Sequence, residues 1–258
     1  MTIINFKKKF IFIHPSRTAG SSLVIALLKY CSEKDIVSDD ILEFQSRGWV
    51  NKDDLKKFNP KFKKKLNFGQ LKNFFASFVK VIPFANKLKK FNYPPDFSLK
   101  FPLFIYKPEV YNHTSVIDIQ KIVGNKFFKE AYKFTIVRNP YTQFLSFYNK
   151  YNRSENFNKF TEINAKYFFN REISHFYNDI SIYNKILRFE NLREDLKSLS
   201  DDLNFPENIY DSFKAIKAST SKLDNSKKIK IDEINVKCRD IIYNNAKKIF
   251  DDFGYKKI

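Results

Sequence analysis

Phe10–Leu23 reads FIFIHPSRTAGSSL: four consecutive apolar residues, a polar turn opened by His14-Pro15, and Gly20 set among small hydroxylated side chains. The apolar run shows no alternation, so both faces of the segment ask for burial, as in a central strand of a parallel sheet. After Gly20, the residues Leu23, Ala26, Leu27 and Tyr30 recur at helical spacing. The stretch therefore predicts a strand, a short loop and a helix. Such a loop aims successive backbone N–H groups and the positive end of the helix at one point, which suits a phosphate or a sulfate.

The same unit recurs downstream. Phe134–Val137, FTIV, is a second strand, followed by RNPYTQFLSFYNKY, in which Asn139 is placed to cap a helix and Pro140 fits its first turn. Phe144, Tyr148 and Tyr151 share one face of that helix. KILRFENLREDLKSL, 185–199, is a third copy. Thr114 or Ser115 can cap a short helix that Gly124 stops, and 231–258 holds a terminal helix ending at Gly254. Strands alternating with helices predict an α/β fold with a mostly parallel central sheet flanked by helices. The 258 residues suit one domain, 1–258, with a Lys- and Phe-rich insertion or lid at about 33–108 that several prolines punctuate. Within it, 74–91 reads as a core-packing or lid segment, since Pro83 interrupts any continuous membrane-surface helix.

Lys and Arg number 47 against 28 acidic residues, a net charge of +19, so the partner is expected to be an anion. Nucleic acid, an acidic membrane surface, an anionic glycan and a phosphorylated cofactor all satisfy that charge. The basic residues are interleaved with apolar ones and form no arm or known binding motif, which argues against nucleic acid. Cys31 and Cys238 make no CxxC and no disulfide framework, as expected in a reducing compartment. The apolar run after Lys7–Lys9 is too short for a signal-peptide core or a membrane span. The expectation is a cytoplasmic protein, compatible with peripheral contact at the inner face of a membrane. No spacing of ligating residues points to a metal.

Aligned on the kinase and NTPase loop G-x-x-x-x-G-K-[ST], Gly20 is the second glycine, Pro15 takes the place of the first, and Ser21 stands where the Lys belongs. The cation comes earlier, at Arg17. In this form IHPSRTAGSSL resembles the 5′-phosphosulfate-binding loop of sulfotransferases that use 3′-phosphoadenosine 5′-phosphosulfate (PAPS), written I-H-x-P-K-T-A-G-T-S in the carbohydrate branch of the family. Thr18, Ala19, Gly20 and Ser22 coincide with it, Arg17 stands at the Lys position, Ser16 replaces Pro, and Pro15 comes one place early. TIVRNPYTQFLSFY, 135–148, is similar to the family's V-R-N-P-Y-D-R-x-x-S-x-Y. Arg138 and Ser146 fill the places of its 3′-phosphate ligands, and Thr142-Gln143 replaces its Asp-Arg pair. LRFENLREDL, 187–196, and IYNNAKKIFDDFGY, 242–255, are similar to two later family stretches, so the resemblance spans nearly everything outside 33–108.

The resemblance implies a P-loop NTPase-like three-layer sandwich and in-line transfer of the sulfuryl group of PAPS to a hydroxyl of a carbohydrate acceptor, a surface polysaccharide or glycolipid. It assigns Arg17, Thr18, Ala19, Gly20, Ser21, Ser22 and Leu23 to the 5′-phosphosulfate, Arg138 and Ser146 to the 3′-phosphate, and Arg17 also to the departing bridging oxygen. His113, in YNHTS, stands where glycan sulfotransferases of this type carry their base; an imidazole titrating near neutral pH can take the acceptor's proton. His14 reads as shaping the loop. Glu190 and Asp195 read as helix-start partners and not as an acid/base pair. STSKLDNSKK, 219–228, is a further stretch whose Ser and Lys residues could touch the cofactor. A metal is not required, because a sulfuryl group carries less charge than a phosphoryl. The competing readings are a nucleic-acid-binding protein and a nucleotide-dependent kinase with an atypical loop.

Overall fold

The computed structural model describes residues 2–32, 34–37, 113–151, 156–213 and 229–258. The expectations for 51–108, including 74–91, and for 219–228 lie outside the described residues. Five strands form one open sheet: β1 (Thr2–Asn5), β2 (Phe10–Ile13), β3 (Ile36–Val37), β4 (Tyr132–Val137) and β5 (Lys185–Arg188). Their spatial order is β3-β1-β2-β4-β5. β2, β4 and β5 are parallel neighbours, whereas β1 runs antiparallel to both β2 and β3. The sheet is therefore mixed, with β1 alone among the described strands running against the common direction.

β1 and β3 depart from the sequence expectation. Thr2–Asn5 offers only two apolar residues before the Lys-rich turn Phe6–Lys9, so no period marks it; yet all four residues are buried. The turn closes with the Lys8 N–H donating to Asn5 Oδ1 at 2.7 Å and with Lys9 in the left-handed region at φ 51°. β3 falls inside the stretch read as an insertion beginning near residue 33, but Ile36 and Val37 pair with Ile4 and Ile3 and belong to the sheet. Two residues are too few to show alternation.

The pleat divides each strand between two cores. Ile3, Phe10, Phe12, Phe134, Ile136 and Leu187 face one side, where helices α1 (Gly20–Leu27) and α6 (Leu192–Asp202) add Leu23, Val24, Leu27, Leu196 and Leu199. Ile4, Ile11, Ile13 and Val137 face the other. There α2 (Val116–Val123) and α3 (Asn125–Glu130) pack with the aromatic-rich helices α4 (Pro140–Tyr151) and α5 (Phe157–Glu172) and with α7 (Val236–Phe253). Every residue of β2 is fully buried, as its apolar run demands. The caps follow the sequence. Ser115 accepts the Asp118 N–H, Asn139 Oδ1 accepts the Tyr141 N–H, and Gly124 and Gly254, both at positive φ, end α2 and α7.

The topology decides where a ligand can sit. β2 is followed by α1 on one face and then β3 on one side of it; β4 is followed by α4 on the opposite face and leads on to β5 on the other side. The two connections diverge at the carboxyl ends of β2 and β4. Open α/β sheets bind ligands at such a switch point.

Candidate functional site

Both turns predicted to meet an anion lie at that switch point, directly after β2 and β4. The loop after β2 places Arg17 and Ala19 in the left-handed region, φ 62° and 66°, which costs non-glycine residues of order 1 kcal/mol each. Thr18 is buried and closes the loop on itself, its Oγ1 donating to the Pro15 carbonyl at 3.0 Å. Ala19 caps α1 without a side-chain hydrogen bond, and the first turn of α1 carries no acidic residue. The N–H groups of that turn have no intrahelical partner. Ser21 and Ser22 are half-buried there, whereas Leu23 turns into the core and gives its N–H to the Ala19 carbonyl at 3.3 Å.

Arg17 reaches across to the second motif. Its Nε donates to the Ser146 carbonyl at 3.1 Å and its Nη2 to Ser146 Oγ at 2.9 Å. Arg138 reaches back, its Nη1 donating to the Arg17 carbonyl at 3.1 Å and its Nε to Thr142 Oγ1 at 3.0 Å. Its guanidinium lies 4.0 Å from the centroid of the Phe189 ring, a cation–π stack, and its Nη2 has no hydrogen-bond partner among the described residues. Burial, and next the charge of Arg17, push the Arg138 guanidinium down to about 10, still protonated at neutral pH. The structure thus joins Arg17, Arg138 and Ser146 into one cluster.

Gly20 is required for a reason the loop pattern does not reveal. Its backbone is not in the positive-φ region; instead, a Cβ there would stand 1.8 Å from Cδ2 and 2.1 Å from Nε2 of the buried His14 ring. His14 thus packs directly on the loop. Its carbonyl also holds His113, whose Nδ1 lies 2.9 Å away, and the two rings are 5.0 Å apart. A carbonyl only accepts, so the proton sits on Nδ1 and the lone pair of His113 on Nε2, the tautomer a general base needs. Burial depresses the basicity of both rings, so His113 does not titrate near neutral pH as the sequence suggested; positive charge from Arg171 and Lys150 lowers His113 further, and His113 and Arg17 lower His14.

A neutral His113 links stability to pH. The folded chain holds fewer protons than the unfolded one from pH 6.5 down to the depressed folded pKa. The contribution is fully present above 6.5 and is lost as pH falls through that window. His113→Gln is expected to flatten the fall in stability on acidification below pH 6.5 by up to about 1.4 kcal/mol per pH unit. Denaturant unfolding at several pH values checks this; an unchanged slope would place the imidazole in solvent.

The sequence reading missed the groups that hold the loop from behind. All three polar groups of the buried Ser16 are taken by side chains. Its N–H donates to Glu172 Oε2 at 2.8 Å, its Oγ accepts from Arg171 Nη2 at 2.7 Å, and its carbonyl accepts from Gln143 Nε2 at 2.7 Å. Arg171 also pairs with Glu172 Oε1 at 3.1 Å. Glu172 and Gln143 are fully buried. Burial raises the Glu172 pKa, and the Arg171 charge and the Ser16 hydrogen bonds oppose the rise. The available signal was the spacing of Phe157, Phe160, Thr161, Ala165, Phe168, Phe169 and Glu172, the buried stripe of α5.

The later motifs brace the Arg138 turn. Glu190 Oε1 accepts the Asn139 N–H at 2.8 Å, and Glu190 Oε2 accepts the Tyr255 hydroxyl at 2.9 Å. Asp195 accepts the Arg188 N–H at 2.6 Å. Among the described residues, no group of three or more His, Cys, Asp or Glu could hold a metal ion, and no helix is long and apolar enough to cross a membrane. Compared with known proteins, the chain matches no family model, no curated protein and no solved structure.

Proposed function

We propose that this chain is a sulfotransferase that moves the sulfuryl group of PAPS to a hydroxyl of a carbohydrate acceptor, on a fold of the P-loop NTPase-like type. The observation that carries the reading is the meeting of Arg17 and Arg138, each in a motif similar to a PAPS-binding stretch, at the carboxyl ends of two neighbouring strands whose connections diverge. Two guanidinium groups near enough for one to depress the other favour an anion beside them. The α1 N-terminus and the Ser146 hydroxyl add hydrogen-bond donors, so the residues present fit a nucleotide charged at both its 5′ and 3′ positions.

In this reading residues 17–22 hold the 5′-phosphosulfate, and Arg138 with Ser146 the 3′-phosphate. The acceptor oxygen bonds to sulfur as the bond from sulfur to the bridging phosphate oxygen breaks. The acceptor's proton goes to His113 Nε2, and Arg17 stabilises the charge on the departing oxygen.

Thermal unfolding with added 3′-phosphoadenosine 5′-phosphate tests the reading. A ligand of the folded state at a hundred times its Kd stabilises it by about 2.7 kcal/mol, a rise in Tm. His113→Ala is expected to keep that rise and to lose about 100- to 10,000-fold in transfer of labelled sulfate to a glycan panel. A folded protein with no shift at millimolar nucleotide overturns the proposal; full transfer by His113→Ala removes the base.

A further inference from the structure

We infer that Arg171, Glu172 and Gln143 are positioning residues for the loop: by gripping Ser16 from the α4 and α5 side, they set where Arg17 meets the 5′ group of the donor. The inference rests on the reading that Arg17 serves that end of a PAPS-like nucleotide. Ser16 immediately precedes a residue held in the left-handed region, and such a conformation persists only where its surroundings over-determine it. The surroundings here are three side chains from two helices, occupying the amide, the hydroxyl and the carbonyl of one residue.

A general packing role would not need this chemistry. Glu172 is buried without exposure and its carboxylate is divided, Oε2 on the Ser16 amide and Oε1 on Arg171, so the charge is neutralised at the loop itself. Gln143 stands where the resembling family carries an Arg, and its amide lies between the Ser16 carbonyl and Glu172 Oε2, 2.7 and 3.4 Å away. Arg138 and its Thr142 partner join this brace through the Arg17 carbonyl and through the α4 backbone, and Arg17 itself donates to Ser146. Among the described residues the side chains that grip Ser16 share no hydrogen bond with Arg138, so disturbing that grip should be legible first at the 5′ end of the ligand.

Calorimetric titration of the full chain with three nucleotides separates the roles: PAPS, 3′-phosphoadenosine 5′-phosphate, and adenosine 3′-phosphate, which lacks the 5′ group. Glu172→Gln is expected to weaken PAPS and the bisphosphate about tenfold or more, leaving adenosine 3′-phosphate within about threefold, a split that a structural role would not produce. Arg171→Gln combined with Glu172→Gln removes both charges, keeps hydrogen-bonding groups, and is expected to restore most of the loss. Gln143→Leu, close in volume and uncharged, gives the same split should Glu172→Gln fail to fold. Equal losses for all three nucleotides, or no loss in folded variants, overturn the inference while the function stands. Absence of bisphosphate binding to the unaltered chain overturns the function itself, and this inference with it.

Discussion

Gly20→Ala is expected to lower the free energy of unfolding by about 3 kcal/mol or more, at the upper end of what overpacking a core costs. The new methyl group would enter the van der Waals volume of the His14 ring, with Cδ2 at 1.8 Å, Nε2 at 2.1 Å and Cγ at 2.4 Å. His14 cannot yield easily, because its ring packs near Phe12 on one side and near His113 on the other, and its carbonyl holds His113. The backbone must move instead, and with it the first turn of α1. Denaturant unfolding measures the loss. Adding His14→Ala should recover a large part of it, since the two changes share one volume and cannot be additive. A Gly20→Ala protein as stable as the parent would show that the ring does not lie on the glycine.

Glu172→Ala is expected to cost about 3–5 kcal/mol, because it removes the carboxylate of a buried ion pair and the acceptor of a buried backbone amide. The Arg171 side chain is only 15% exposed and would lose the Glu172 carboxylate, and the Ser16 N–H would lose the group that receives it. The exposed pair Lys237–Glu162, which also involves α5, provides the contrast: solvent screens it, and Glu162→Ala should leave the unfolding midpoint nearly unmoved. Parallel urea titrations of the two variants decide the matter, and similar midpoints would show that Glu172 is hydrated.

The parts of the fold that were legible in the sequence are those whose residues all argue the same way. Phe10–Ile13 is apolar on both faces and Phe134–Val137 is apolar but for Thr135, and each opens into a turn and a capped or glycine-led helix, so the strands, turns and helices could be placed together. β1 was hidden because Asn5 looks like a turn residue; in the fold its side chain caps the hairpin and bonds the Tyr30 carbonyl at 2.9 Å. The grip on Ser16 depends on α5 lying against α4, a tertiary fact that no local period encodes. Thr142-Gln143 reads from the sequence as the loss of an ion pair. In the structure the two residues take other work, Thr142 receiving Arg138 and Gln143 holding Ser16. Gly20 was read from the turn pattern, but the reason for it lies in an imidazole six residues earlier.

The shared carboxylate of Glu190 carries a consequence for how the protein matures. One oxygen ties the amide next to Arg138 and the other ties Tyr255, which α7 delivers through the Gly254 turn. A ribosome releases Arg138 and its strand long before it makes Tyr255. During synthesis the nascent chain therefore carries the Arg138 turn with only one oxygen of Glu190 engaged, and the second is tied when the last helix docks.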